Sequence, residues 1–256
     1  MTRTVLITGA ADGIGWETAK LFAARGDKVV IADLDGEKSV GRASELGDGH
    51  LGVACNVTSE EDASQAVAAA LDLTGRFDVL VNNAGIGDTS ASTLEQTAEH
   101  FRRVLDVHLL GTFLMSRIAG EAMAARDGGA IVNFASIAGI IGLPRRNAYG
   151  AAKAGIIAMT KSMGSEWGSE GIRVNAVAPG YVRTALVEKL IADGLLNPDT
   201  IIGRTPIGRM LMPVEIAEAV YFLASPAASA ITGIVLPVDG GWTAFGAAGA
   251  PSGAPG

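Results

Sequence analysis

The strongest constraint on this chain is a repeated change of period. Short runs of β-branched and aliphatic residues alternate with longer stretches whose apolar positions recur at helical spacing. The runs fall at 4–8, 28–33, 51–55, 78–82, 130–135, 172–178 and 233–238. The helical patterns fall at 14–25, 37–46, 60–74, 95–126, 149–169, 184–194 and 213–224. Several runs, such as Val29-Val30-Ile31-Ala32 and Val79-Leu80-Val81, are apolar throughout rather than alternating. Strands of that kind are covered on both faces, as in a parallel sheet, and parallel neighbours need crossovers, which the helices supply. The expectation is an α/β fold: a doubly wound parallel sheet of about seven strands with helices on both faces.

No linker-like segment divides the 256 residues. A single domain over 1–245 is therefore expected. The stretch 246–256 holds only Gly, Ala, Pro and Ser, and reads as a flexible tail or as one that crosses to a neighbouring subunit. Lys and Arg number 20 against 27 Asp and Glu, with no basic block, so neither nucleic acid nor an anionic membrane is an expected partner. No uninterrupted apolar stretch is long enough for a membrane span. Cys55 is the only cysteine, so an intrachain disulfide and a thiolate-rich metal site are both out of reach, and no metal is expected. A strand-like run begins almost at the first residue where a signal peptide would lie, and a cytoplasmic location is expected.

After the first run comes Thr8-Gly9-Ala10-Ala11-Asp12-Gly13-Ile14-Gly15, leading into a helix. Glycines let the backbone turn tightly and approach a pyrophosphate, and the helix N-terminus offers it free N–H groups. The spacing is Gly-x-x-x-Gly-x-Gly, and its place between a first strand and a first helix favours a dinucleotide-binding loop over a tight turn alone. The second run ends at Asp33, followed by Leu34. A carboxylate there can accept hydrogen bonds from the adenosine ribose and repels a 2′-phosphate. No Arg or Lys is expected beside it, so NAD is preferred to NADP. Asn56-Val57 and Asn83-Ala84-Gly85 end two further runs, where asparagine can form a turn, brace the main chain or contact adenine.

Tyr149 and Lys153 are separated by one helical turn and share a face. A free phenol is a poor base near neutrality, and a nearby positive charge lowers its pKa. So tuned, Tyr149 can exchange a proton with an alcohol as hydride moves. Ser136 ends the fifth run thirteen residues earlier and can donate to the substrate oxygen, or simply form a turn. Arg145 and Arg146 precede Tyr149 and suit either a substrate carboxylate or a solvated turn. There is no Gly-x-Ser-x-Gly elbow, and the histidines are scattered.

Taken together from Arg3 to Thr243, the motifs Thr8-Gly9-x-x-x-Gly13-Ile14-Gly15, Asn82-Asn83-Ala84-Gly85, Ser136, Tyr149-x-x-x-Lys153, Pro179-Gly180 and Asp239-Gly240-Gly241 resemble the short-chain dehydrogenase/reductase family. The resemblance implies Tyr149 as general acid/base, Lys153 on the nicotinamide ribose and Ser136 as substrate-orienting hydroxyl. It implies Pro179, Gly180, Val182 and Thr184 around the nicotinamide carboxamide, and Asn83 to Gly85 on the adenosine side. It also implies a lid at about 181–212, with Leu186, Leu190, Leu195, Leu196, Ile201 and Ile202 among its apolar residues, and a homotetramer or homodimer. The chain departs from the family at Asn56, where Asp is usual, and at His108, where Asn is usual. His108 is a candidate proton-relay residue or a packed, hydrogen-bonded one. The expected activity is NAD-dependent hydride transfer between a secondary alcohol, polyol or hydroxy acid and its ketone. The rivals are an NADPH-dependent 3-ketoacyl-type reductase and a non-catalytic dinucleotide sensor.

Overall fold

In the computed structural model, which describes residues 2–89, 91–247 and 251, the strands form one seven-stranded sheet, every pairing parallel. The strands are β1 (Thr4–Thr8), β2 (Lys28–Asp33), β3 (Leu51–Ala54), β4 (Val79–Asn82), β5 (Gly129–Phe134), β6 (Ile172–Pro179) and β7 (Val235–Val238). They lie in the order β3-β2-β1-β4-β5-β6-β7. The order reverses between β1 and β4, and a ligand crevice opens at the carboxyl ends on either side of such a reversal.

The helices are α1 (Gly13–Ala24), α2 (Gly36–Leu46), α3 (Glu60–Thr74), α4 (Ala98–Leu105), α5 (Gly111–Ala124), α6 (Asn147–Glu166), α7 (Ala185–Ala192), α8 (Pro198–Arg204) and α9 (Pro213–Ala224). The alternating side chains of each strand serve two cores. Val5, Ile7, Val29, Ile31 and Val132 pack with Phe22 of α1 and with Ile216, Val220 and Leu223 of α9. Leu6, Val30, Leu80 and Ile131 pack on the other face with Ala66 and Val67 of α3, Met115, Ala119 and Met123 of α5, and Met163 of α6. Each fully buried aliphatic side chain here contributes about 1.5–3 kcal/mol relative to exposure.

Local chemistry sets the element ends. Ser59, Thr97 and Thr184 cap α3, α4 and α7 by accepting the N–H groups of Asp62, His100 and Val187. β7 starts two residues later than the sequence pattern suggests, because Asn175 Oδ1 takes the Ile234 N–H at 3.2 Å and Gly233 has a positive φ of 74°. The expected single helix over 95–126 begins only at Ala98 and is interrupted by a π-helical turn at Asp106–Leu110. Gly111 follows, and a Cβ there would lie 2.7 Å from Val57 Cγ2. A further helix, α8, was not anticipated, although Asn197 as cap and Pro198 in the first turn announce it. Of the expected tail 246–256, residues 248–250 and 252–256 lie outside the described residues. Among the described residues no helix is long and apolar enough to cross a membrane.

Candidate active site

The glycine loop follows β1 at the crevice. Asn83 Nδ2 donates to the Thr8 and Gly9 carbonyls at 3.0 and 2.8 Å, while Thr8 Oγ1 accepts the N–H groups of Asn83 and Ala84, each at 3.1 Å. The asparagine after β4 therefore braces the loop after β1. The packing is tight enough to demand glycine. A Cβ on Gly9 would lie 2.7 Å from Ala84 Cα, and one on Gly15 would lie 2.4 Å from the Gly9 carbonyl. Gly13 differs: its φ is +56° and a Cβ would meet nothing within 4 Å, so this side of the loop is open. Asp12 is the N-cap of α1, but its side chain caps nothing. An open, glycine-lined face at an uncapped helix N-terminus fits a dinucleotide pyrophosphate.

Asp33 ends β2 and accepts the Ala11 N–H at 3.1 Å, which places its carboxylate beside the glycine loop. Leu34 is exposed beside it. The expectation of no nearby base is overturned. Lys38 Nζ bonds the Asp12 carboxylate, and Arg42 Nε donates to the Ala11 carbonyl at 3.1 Å. Both lie on one face of α2, which turns back over the glycine loop. Their sequence distance from Asp33 concealed this, although the i, i+4 spacing carried the signal. Asn56 spends its side chain locally, with Oδ1 accepting the Thr58 N–H and hydroxyl at 3.1 and 2.8 Å. Val57 is buried against Gly111.

Ser136 follows β5, is buried, and accepts the Ala138 N–H at 3.1 Å. Tyr149 and Lys153 stand in the first two turns of α6, with Lys153 Nζ 5.4 Å from the phenol ring centroid. Lys153 is buried and donates to the Phe134 carbonyl at 2.6 Å, so α6 is tied to the end of β5 beside Ser136. Burial pushes the Lys153 ammonium down to about 7. It also pushes the Tyr149 phenol up, with Ser136 and Arg146 pulling the other way and Asp88 adding to the rise. The downward pull on the phenol comes from Ser136 and Arg146.

His108 lies on the π-helical turn, is 3% exposed, and stacks edge-on to Tyr149 with ring centroids 5.2 Å apart. Its Nε2 is 2.9 Å from the Ile86 carbonyl and 3.2 Å from the Ile86 N–H, and its Nδ1 has no partner among the described residues. Burial, followed by the charge of Lys153, pushes it down to about 3, so the ring is neutral at any working pH. Through these contacts His108 braces the loop after β4. Gly85 is required by the same ring, since a Cβ would lie 2.4 Å from His108 Cε1.

At the lid base, Gly180 donates its N–H to the Val238 carbonyl at 3.0 Å, and Val182 bridges to Leu211. Asp239 accepts from the Gly241 and Thr243 N–H groups, each at 2.9 Å, fixing the loop against which Gly180 packs. Ile137, Ile201, Met210 and Trp242 form the apolar cluster beside Ser136, with Leu196 and Ile191 packed against it. Leu186 and Leu195, expected in the lid lining, are largely exposed. A cavity of about 500 Å³ between α7, α8 and α9 is lined by Arg183, Ile191, Pro198, Ile202 and Met212, and by none of Ser136, Tyr149 and Lys153.

One group was missed from sequence. Asp88, six residues past β4, carries a side chain only 1% exposed; its Oδ1 is 2.9 Å from His100 Nε2 and accepts the Thr89 N–H at 2.8 Å. Arg146 Nη1 lies 3.5 Å from the Asp88 carbonyl. Charges of both signs therefore flank Tyr149. Arg145, with φ 67°, is the one positive-φ residue other than glycine among the described residues, and it precedes the turn into α6.

The site combines a crevice that fits a dinucleotide with a phenol, a buried amine and a hydroxyl, the groups of a nicotinamide-linked oxidoreductase. A family model described as enoyl-(acyl carrier protein) reductase matches residues 9–243. The chain is 47% identical over 240 residues to an uncharacterised short-chain type dehydrogenase/reductase of Sinorhizobium fredii, covering 94% of this chain but 43% of that protein. It is 45% identical over 244 residues to the cis-4-hydroxycyclohexanecarboxylate dehydrogenase of Sinomonas cyclohexanicum, covering 94% of this chain and 97% of the other. The solved structure of ElxO with NADP bound superposes with a TM-score of 0.89 at 34% identity, covering 96% of this chain and all of that one. The chain belongs to the short-chain dehydrogenase/reductase family, which makes it an oxidoreductase with a nicotinamide dinucleotide cofactor.

Proposed function

We infer that this protein interconverts a small secondary alcohol, polyol or hydroxy acid and its ketone with NAD(H). The convergence of Ser136, Tyr149 and Lys153 at the carboxyl end of β5 carries the reading. The glycine loop and Asp33 would hold the pyrophosphate and ribose, Lys153 would hold the nicotinamide ribose, and the dinucleotide, when bound, would supply or accept the hydride. Ser136 Oγ–H donates to the substrate oxygen. Tyr149 takes the alcohol proton in oxidation and returns it in reduction. Lys153, with a pKa near 7, can hold or pass on that proton near neutrality. The similarity to a dehydrogenase of a hydroxylated ring carboxylate supports a small alcohol as substrate. Leu110 on the π-helical turn and Phe113 on α5 are exposed and support a homodimer or homotetramer; a cytoplasmic location is part of the same proposal.

The test is NADH formation across a panel of secondary alcohols, polyols and hydroxy acids, with wild type and Tyr149→Phe. Turnover abolished in the variant, with NADH still bound, supports catalysis. Function unaffected by Tyr149→Phe makes the protein a dinucleotide sensor. One observation favours a second reading, an NADPH-dependent 3-ketoacyl-type reductase: Lys38 and Arg42 stand near the ribose end of the crevice. Turnover of a β-ketoacyl thioester with NADPH and none of any alcohol with NAD would decide for it.

A further inference from the structure

We propose that Asp12 is a specificity-determining residue that holds Lys38 and Arg42 away from a 2′-phosphate, so that the choice of cofactor rests on two carboxylates rather than on Asp33 alone. The inference deepens the NAD reading above and depends on the crevice binding a dinucleotide. Its basis is a convergence on one peptide. Asp33 grips the Ala11 N–H and Arg42 Nε grips the Ala11 carbonyl, both at 3.1 Å, so the guanidinium enters the corner that Asp33 presents to the ribose. Lys38, one turn earlier on the same face of α2, reaches the Asp12 carboxylate, and Arg42 Nη2 lies 3.7 Å from it. Arg42 is further committed to Glu45 at 2.9 Å and lies over the Trp16 ring, 4.6 Å from its centroid.

The acids Asp12, Asp33 and Glu45 thus outnumber the cations of this corner. A 2′-phosphate arriving here meets excess negative charge, and the two groups able to neutralise it are already paired. Without Asp12, Lys38 loses the only side-chain partner it has among the described residues, and Arg42 loses one of its two carboxylate partners. Asp12 itself is dispensable to the fold. Its side chain is 69% exposed and makes no capping bond. The pair is a surface one of small intrinsic worth, so the consequence appears in ligand discrimination rather than in stability.

The experiment is titration of wild type, Asp12→Asn and the triple variant Asp12→Asn/Lys38→Gln/Arg42→Gln with NADPH and with NADH, followed by nicotinamide fluorescence. Circular dichroism confirms that each is folded. The expected result is a rise of at least about tenfold in the ratio of NADPH to NADH affinity in Asp12→Asn, the size of one unscreened charge interaction at a few ångströms with a multiply charged phosphate. That gain should be lost in the triple variant. A ratio within threefold of wild type in Asp12→Asn overturns the proposal, as does a gain that survives loss of both cations. Failure of NADH and NADPH to bind any of the three folded proteins instead overturns the dinucleotide reading, and the proposal falls with it.

Discussion

Two glycines of the same loop should fail for different reasons when each is replaced by alanine. At Gly15 the obstacle is space: a Cβ would lie 2.4 Å from the Gly9 carbonyl, 2.5 Å from Asn83 Nδ2 and 2.9 Å from Ala10 Cα. Backbone cannot yield there as the end of a flexible side chain would. Overpacking of this kind costs about 1–3 kcal/mol. Moving Asn83 also endangers its two bonds to the Thr8 and Gly9 carbonyls, each worth about 1 kcal/mol. The sum is about 3–5 kcal/mol of folding stability. At Gly13 space is free and the obstacle is φ, +56°. A left-handed alanine costs about 1–2 kcal/mol, but its methyl would project into the opening that suits the pyrophosphate. Urea unfolding and NADH titration separate the two. Gly15→Ala should lose more stability than Gly13→Ala, and Gly13→Ala should lose NADH affinity out of proportion to its stability. Equal stability of Gly15→Ala and wild type would refute the packing argument, and wild-type NADH affinity in Gly13→Ala would refute the assignment of the open face.

Lys153 offers a pH test of burial. Its folded-state pKa lies near 7, below the ordinary lysine value of 10.5, so between those limits the unfolded chain binds the extra proton and stability rises with pH. Wild type should therefore gain stability relative to Lys153→Met from pH 7 to pH 9.5 in urea unfolding, and a flat difference would contradict the shift. Arg146 pulls the Tyr149 phenol down. Arg146→Ala should move the pH dependence of alcohol oxidation to higher pH, and an unmoved profile would take Arg146 out of the site's electrostatics. His108 is pushed down to about 3, outside any assay range. His108→Asn should leave the position of the pH–rate profile where it is while lowering stability through the lost bond to Ile86, whereas a shifted profile would assign His108 a proton-relay role.

What could be read from the residues depended on how far each signal travels along the chain. Strand and helix positions followed from local period, and most boundaries fell within two residues of the pattern. The long helix at 95–126 misled because a π-helical turn keeps helical period and composition. What distinguishes it is the fit of Gly111 against Val57 and of His108 against Ile86, contacts between segments far apart in sequence. The glycine loop and the Tyr149–Lys153 pair were legible because their chemistry is bound to short spacings. Asp88 was not, since its significance rests on being enclosed beside His100, Arg146 and Tyr149, which three separate segments bring together.

The same distinction bears on specificity. Ser136, Tyr149 and Lys153 define a reaction, and the structure adds the field in which Tyr149 works. Arg146 and Asp88 act on the phenol in opposite directions, and both belong to loops rather than to the α6 face that carries the catalytic pair. Loops of this kind accept substitution without disturbing the sheet. The balance between those two charges is therefore a property this chain can vary independently of its catalytic residues. A substrate that brings its own charge into the crevice would shift that balance on binding. Arg146→Ala and wild type, compared on a neutral alcohol and on a hydroxy acid of similar size, would separate tuning from recognition. A loss confined to the acid means that Arg146 contacts the carboxylate. An equal loss on both means that it acts only through Tyr149.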